Sequence, residues 1–359
     1  MNRSIISKFC VSLLLLTHAS MIFGEGRNNK TKEPVIIPIP DLMAKKAALL
    51  DQIESIDEND KSLPNIVLIF VDDPGYADIG VYGSKTIPTP HIDALAKRGI
   101  RFTDAYVTAA TCSPSRAGLM SGNYQQRFGF EFNTSGAAET HRKSRGLRPS
   151  TITMADVLQR TGYATGMFGK WHLGTRKYFH PLNRGFDEFY GFLAGAHSFF
   201  EVKDQPVYQS IMRGHKLISE PEYLTDAIAR ETINFINRKK EQPFFAYVTF
   251  NAVHTPIEAT EKYQKRFPYE KTEAQQDYNA MTSALDDAVG AVVWALQKND
   301  ILENTLIVFL NDNGGPIYTG RQNWQKEKPI QRPLAHLIYF PLSMLLLYSN
   351  SGYAPLGWC

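Results

Sequence analysis

A chain of 359 residues, 43% hydrophobic and 21% charged, has the composition of a globular protein that can bury a substantial core, which excludes disordered and fibrous classes. Its net charge of +3 comes from cations scattered along the chain, without the basic stripe and interleaved aromatics of a nucleic-acid-binding surface, so no nucleic-acid partner is expected. The three cysteines, Cys10, Cys112 and Cys359, are too few and too dispersed for a disulfide framework.

Arg3 and Lys8 precede the apolar run Phe9 to Leu16, and small residues follow at Ala19, Ser20 and Gly24; residues 1–24 read as a secretory signal peptide, and the chain as exported, periplasmic or extracellular, or lysosomal in an animal. The apolar run is short for a membrane span, so no stable span is expected. Residues 25–63 read as a linker followed by one amphipathic helix, with Leu42, Leu49, Ile53 and Ile56 at roughly helical spacing. Asn65 to Val71 is a continuous β-branched and aromatic run, as expected of a strand buried on both faces of a parallel sheet, and Asp72-Asp73-Pro74-Gly75 follows at its carboxyl end. Ligands bind at such strand ends in open α/β sheets, although an isolated pair of acids before Pro-Gly would serve equally as a turn.

After a helical segment at Ile92 to Lys97 comes Thr111-Cys112-Ser113-Pro114-Ser115-Arg116, where Pro114 suits the first turn of a helix and Arg116 lies one turn beyond Cys112. The free N–H groups of that turn would face an incoming anion. Thr153 to Arg160 reads as a helix, Thr161 to Phe168 as a turn and strand, and Asn183 to Tyr190 as irregular. Leu224 to Arg238 and Asn279 to Gln297 read as helices, and Phe244 to Phe250 and Thr305 to Leu310 as further buried strands. This alternation predicts an α/β fold with a mainly parallel sheet and helices on both faces. Asn311-Asp312-Asn313-Gly314-Gly315 repeats, after the last of these strands, the acid cluster that follows the first. Together Asp72, Asp73, Asp312 and Asn313 offer four hard oxygen ligands, which suit Ca²⁺, or Mg²⁺ as the alternative, and disfavour zinc.

Cys112-Ser113-Pro114-Ser115-Arg116, followed by Gly122-Asn123-Tyr124 and by Gly169-Lys170-Trp171-His172, closely resembles the two signature segments of the sulfatase family; the resemblance runs from about Pro64 to Gly315. It implies an alkaline-phosphatase-like fold and the hydrolysis of a sulfate ester on a sulfated small molecule or carbohydrate. It further implies that a formylglycine-generating enzyme oxidises Cys112 to formylglycine, an aldehyde that rests as its hydrate. One hydroxyl of the hydrate would attack sulfur and expel the alcohol; the other would then lose its proton, so that the carbonyl re-forms and sulfate leaves. The resemblance assigns the metal to Asp72, Asp73, Asp312, Asn313 and the oxidised Cys112. It assigns sulfate binding to Lys170, a hydrate-holding or base role to His172, leaving-group assistance to His254 and orientation of the formylglycine to Arg116.

The pattern breaks after Pro316. A Gly-rich segment with another active-site lysine and a smaller C-terminal subdomain would be expected there, whereas residues 317–359 read as an atypical tail in which neither Lys326 nor Lys328 sits in a supporting motif. The expectation is a catalytic domain over residues 64–316 with the smaller subdomain largely missing. Two other readings stay open on the sequence: a phosphoester hydrolase of the same superfamily, which Cys112, Pro114 and Arg116 argue against, and a noncatalytic anion-binding remnant.

Overall fold

The computed structural model describes residues 39–55, 63–134 and 145–315 and the backbone of residues 336–339. The stretch read as a signal peptide, Lys326, Lys328 and most of the tail lie outside the described residues.

Asn65–Val71 (β1) forms as the apolar run predicts, buried but for Ile66. Its alternate side chains enter two different cores: Val67, Ile69 and Val71 join one cluster, Leu68 and Phe70 the other. The strand is therefore sandwiched, which is why its sequence is apolar at every position rather than at every second one. Thr305–Asn311 (β8) and Phe244–Thr249 (β7) pair with β1 in parallel on either side, Ala164–Lys170 (β3) pairs in parallel with β7, and Glu188–Phe192 (β4) with β3. The described strands make a nine-stranded sheet whose edges turn antiparallel. Met212–Arg213 (β5) and Lys216–Leu217 (β6) extend it beyond β4, and His336–Tyr339 (β9) and Ile100–Phe102 (β2) beyond β8. Within the segment that the sequence sets apart as a tail, His336–Tyr339 is thus a sheet strand, antiparallel to both of its neighbours.

Three helices cover one face of this sheet: Pro90–Arg98 (α2), Leu224–Lys239 (α5) and Glu273–Lys298 (α7), through Ile92, Leu95, Ile228, Phe235, Ala284, Leu285 and Val292. Cys112–Ser121 (α3) and Met154–Arg160 (α4) cover the other, through Ala117, Met120, Ala155 and Leu158. The predicted doubly covered, mainly parallel sheet is what forms. Helix α1, Pro40–Leu50, is shorter than the spacing out to Ile56 predicts, and is tied to α4 by Lys46, whose ammonium reaches Asp156 at 2.7 Å. The stretch read as irregular, Asn183 to Tyr190, ends in the first three residues of β4, a strand that pairs with β3 in a register that sets Gly191 against Gly169.

Candidate metal and anion site

Parallel strands point their carboxyl ends the same way, so the sheet carries four chain segments to one place. Asp72 and Asp73 follow β1, Asp312 and Asn313 follow β8, Lys170 ends β3 with His172 just beyond, and His254 lies past the end of β7. The β1 and β8 ends are stitched together, Asp312 N–H donating to Val71 O at 3.0 Å and Asp73 N–H to Asp312 Oδ1 at 3.3 Å. Helix α3 begins at Cys112 and brings its first turn against this edge from the other side.

Ligand atoms of Asp72, Asp73, Cys112 and Asp312 all lie within 4.8 Å of one another, and all four residues are buried. Asn313 joins them through Nδ2, which donates to Asp73 Oδ1 at 2.5 Å. Two cations balance the acids from inside the protein. Lys170 Nζ is 2.5 Å from Asp72 Oδ2; Arg116 donates from Nε and Nη2 to Asp312 Oδ2 at 3.1 and 2.8 Å, lies 3.4 Å from Asp72 Oδ1, and stacks its guanidinium 5.2 Å above the Phe70 ring. Both are wholly buried. The Arg116 guanidinium also donates to Lys170 O at 3.1 Å, so a single side chain spans three of the converging segments.

Burial and crowding set the protonation of the set. Burial alone would push Asp72 upward, but Lys170, His254 and Arg116 outweigh it and hold this carboxyl below its ordinary range. Asp312 is raised to about 7 by burial and by the neighbouring Asp72 charge, and Asp73 is raised by burial and by Asp312. The Cys112 thiol is pushed far up, by burial first and then by the three surrounding carboxylates, so it stays protonated and is a poor nucleophile and a poor ligand as it stands. Lys170 and Arg116, although desolvated, remain cations because the carboxylates face them.

A hard divalent cation fits this donor set. Asp72 Oδ1 and Asn313 Oδ1 are buried and find no hydrogen-bond partner among the described residues, a costly state that coordination would relieve, and the carboxylates that repel each other would share its charge. An oxygen at position 112 would complete an all-oxygen set where the neutral thiol does not.

Strand β3 stops at Lys170, and His172, two residues on, adopts φ +54°, in the left-handed region. Strain of this kind gathers at functional sites. His172 Nε2 faces Thr134 O at 2.9 Å, and since a carbonyl only accepts, that nitrogen carries the proton and Nδ1 keeps the lone pair. Nδ1 is buried with no partner among the described residues, and the pKa of the ring is held well below 6.5 by burial and then by Lys170 and Arg116, so the imidazole is neutral. His254 Nδ1 likewise donates to Thr255 O at 2.6 Å, which leaves Nε2 facing Asp73 Oδ2 at 3.9 Å.

Three residues around this site escape a reading of the sequence alone. Ser113 Oγ donates to His172 O at 2.7 Å, Thr134 Oγ1 reaches the same carbonyl at 3.2 Å, and Gly195 packs so closely on the imidazole that a Cβ there would lie 2.4 Å from Nε2. Ser113 sits inside the cysteine motif, but nothing in the pattern tells which way its hydroxyl turns.

Residues 64–338 match the family model described as Sulfatase. Human N-acetylgalactosamine-6-sulfatase is 31% identical over 281 residues, covering 74% of this chain and 53% of that protein, and human arylsulfatase H is 30% identical over 326 residues, covering 70% and 57%. The chain therefore spans about half the length of the curated relatives it matches. Among solved structures, Ps i-CgsB superposes with a TM-score of 0.70 at 39% identity, covering 78% of this chain and 66% of that one; it has also been solved in complex with k-i-k-neocarrahexaose. Among the described residues, no helix is long and apolar enough to cross a membrane.

Proposed function

We propose, from the premise that this chain belongs to the sulfatase family, that it hydrolyses sulfate esters at the edge where β1, β3, β7 and β8 converge on Cys112. The observation that carries this reading is the buried set of three carboxylates and Cys112 within 4.8 Å, backed by two buried cations. It suits sulfuryl transfer from an anionic sulfate ester, because a cation held by Asp72, Asp73, Asp312 and Asn313 together with Lys170 would oppose charge on the sulfuryl oxygens. Ca²⁺ fits the all-oxygen set best, with Mg²⁺ as the alternative; when bound it supplies electrophilic polarisation of a sulfate oxygen. Formylglycine made from Cys112 by a formylglycine-generating enzyme supplies, as its hydrate, the oxygen nucleophile that the protonated thiol cannot.

The remaining roles belong to side chains already in place. Lys170 holds Asp72 ionised and presents positive charge to the substrate anion. Arg116 fixes Asp72 and Asp312 relative to helix α3, so that residue 112 meets the metal ligands. His172, neutral and carrying its proton on Nε2, offers the Nδ1 lone pair as a proton acceptor for the hydrate. His254, when protonated, carries that proton on Nε2 and can pass it to the departing alcohol oxygen.

A sulfated carbohydrate is favoured as substrate over a small aryl sulfate, because a structural relative at 39% identity has been solved with a neocarrahexaose and a curated relative is named for an amino-sugar sulfate. The test is release of inorganic sulfate by converted, Ca²⁺-loaded protein from sulfated mono- and oligosaccharides, beside 4-nitrophenyl sulfate and the matching phosphate esters. The proposal expects sulfate release that Cys112→Ala abolishes and little phosphate release; phosphate esters turned over faster than every sulfate ester would overturn it.

A further inference from the structure

We infer that Ser113 and Thr134 are positioning residues that clamp His172, holding its backbone and its ring in the one arrangement that leaves the Nδ1 lone pair without a hydrogen-bond partner among the described residues. The inference rests on the sulfate-ester reading for the use of that nitrogen, and on geometry for the clamp itself. His172 is gripped at two points by the same pair. Its carbonyl accepts from Ser113 Oγ at 2.7 Å and from Thr134 Oγ1 at 3.2 Å, while its ring Nε2–H donates to Thr134 O at 2.9 Å. Ser113 and Thr134 are also bound to each other, Thr134 N–H donating to Ser113 Oγ at 3.2 Å with the two hydroxyls 3.2 Å apart. The Ser113 N–H is in turn capped by Asn133 Oδ1 at 3.0 Å.

These contacts do work that sequence neighbours could not. A histidine with φ +54° is unsettled by its own backbone and must be held by its surroundings. Fixing the carbonyl of a residue fixes the direction of its peptide plane, and fixing one ring nitrogen fixes both rotamer and tautomer. Gly195 closes the remaining side, since any side chain there would drive into the imidazole. Because Ser113 follows residue 112 directly on helix α3, the clamp ties the position of His172 to that of the nucleophile, and both hydroxyls are buried where water cannot replace them. A hydroxyl that merely satisfied helix ends would have no reason to converge with a second one on this carbonyl.

The test compares Ser113→Ala, Thr134→Val and Thr134→Ser, each with formylglycine content measured by peptide mass and kinetics expressed per converted site. The inference expects Ser113→Ala and Thr134→Val each to lower kcat roughly tenfold with KM changed less than about threefold, and Thr134→Ser to recover most of the loss. A second readout is independent of turnover. In ¹⁵N-histidine-labelled protein the His172 Nε2–H should exchange slowly with water in the parent and rapidly in Ser113→Ala. Unchanged kcat in Ser113→Ala and Thr134→Val, a loss that Thr134→Ser fails to recover, or an unchanged ring N–H signal would each overturn the clamp. If the parent turned over no sulfate ester, the functional reading would fall and the ring signal alone would decide the clamp.

Discussion

Arg116 is where the charge balance of the site turns, because its one guanidinium faces Asp312 and Asp72 while its other nitrogen holds the β3 carbonyl. Removing one partner of a buried ionic group leaves the rest uncompensated, so Arg116→Met should destabilise the metal-free protein by about 3–5 kcal/mol in denaturant unfolding, and by less with Ca²⁺ present. Equal losses with and without Ca²⁺ would show that the guanidinium and the metal do not share the same carboxylates. The proton on Asp312 gives a second expectation. Its carboxyl is raised to about 7, so below that pH a proton competes with the cation, and Ca²⁺ affinity of the chelated protein should fall as pH drops from 8 toward 6, with proton release measurable by calorimetry in two buffers. An affinity flat across that range would contradict the assignment of Asp312 as a ligand. At this scale the sequence was legible for residues whose type announces chemistry. Cys112, Arg116, the paired acids and Lys170 stand in motifs, and the structure draws them together. Ser113, Thr134 and Gly195 do not announce themselves, because their part exists only through contacts between residues 21 to 59 positions apart.

Among the elements, β1, β7 and β8 were readable from their nearly continuous apolar runs, and β3 from the turn at Thr161-Gly162 that precedes it. Strand β4 was not, since its pairing with β3 rests on a close backbone approach at Gly191. Its φ of +143° and that of Gly169, +117°, explain both glycines: a Cβ on Gly191 would lie 1.9 Å from Gly169 O, and one on Gly169 would lie 2.0 Å from Thr249 O. Gly191→Ala should therefore cost well over the about 1 kcal/mol of an ordinary strand glycine substitution and lower the thermal midpoint sharply, whereas a loss within that range would show that β3 and β4 can move apart. Helix α7 extends six residues ahead of its predicted start at Asn279, capped by Thr272, whose hydroxyl accepts from Gln275 N–H. From its middle, Asp286 accepts from the His91 and Ile92 N–H groups at 3.1 and 2.8 Å and so caps helix α2 from a distance. Burial raises this carboxyl to about 6 despite those donors. A group whose folded pKa lies above its unfolded value contributes stability below the unfolded value and loses it as pH rises through the folded one. Parent stability relative to Asp286→Asn should thus decline between about pH 4 and pH 6, a trend that denaturant midpoints at several pH values would reveal or refute.

For the molecule as a whole, the sheet places the carboxylates, the cations and the histidines at one edge, where Lys170 and Arg116 offset part of the cost of burying so much charge and a divalent ion held by the carboxylates would offset more. A cation at a hundred times its dissociation constant adds about 2.7 kcal/mol to folding stability, so chelation should lower the thermal midpoint measurably and Ca²⁺ should restore it. Fold class and site were legible together because in a parallel sheet the polar residue after each apolar run must fall at the same edge. What stayed hidden was backbone detail, above all the left-handed turn at His172. The most direct measurement of the central claim takes preparations made with graded amounts of formylglycine-generating enzyme. In each, the fraction of Cys112 whose thiol sulfur has been replaced by aldehyde oxygen, read from peptide mass, is set against the rate of sulfate release. The account predicts a straight line through the origin, with no turnover at zero conversion; sulfate release that is independent of conversion, or its absence from fully converted, Ca²⁺-loaded protein, would contradict it.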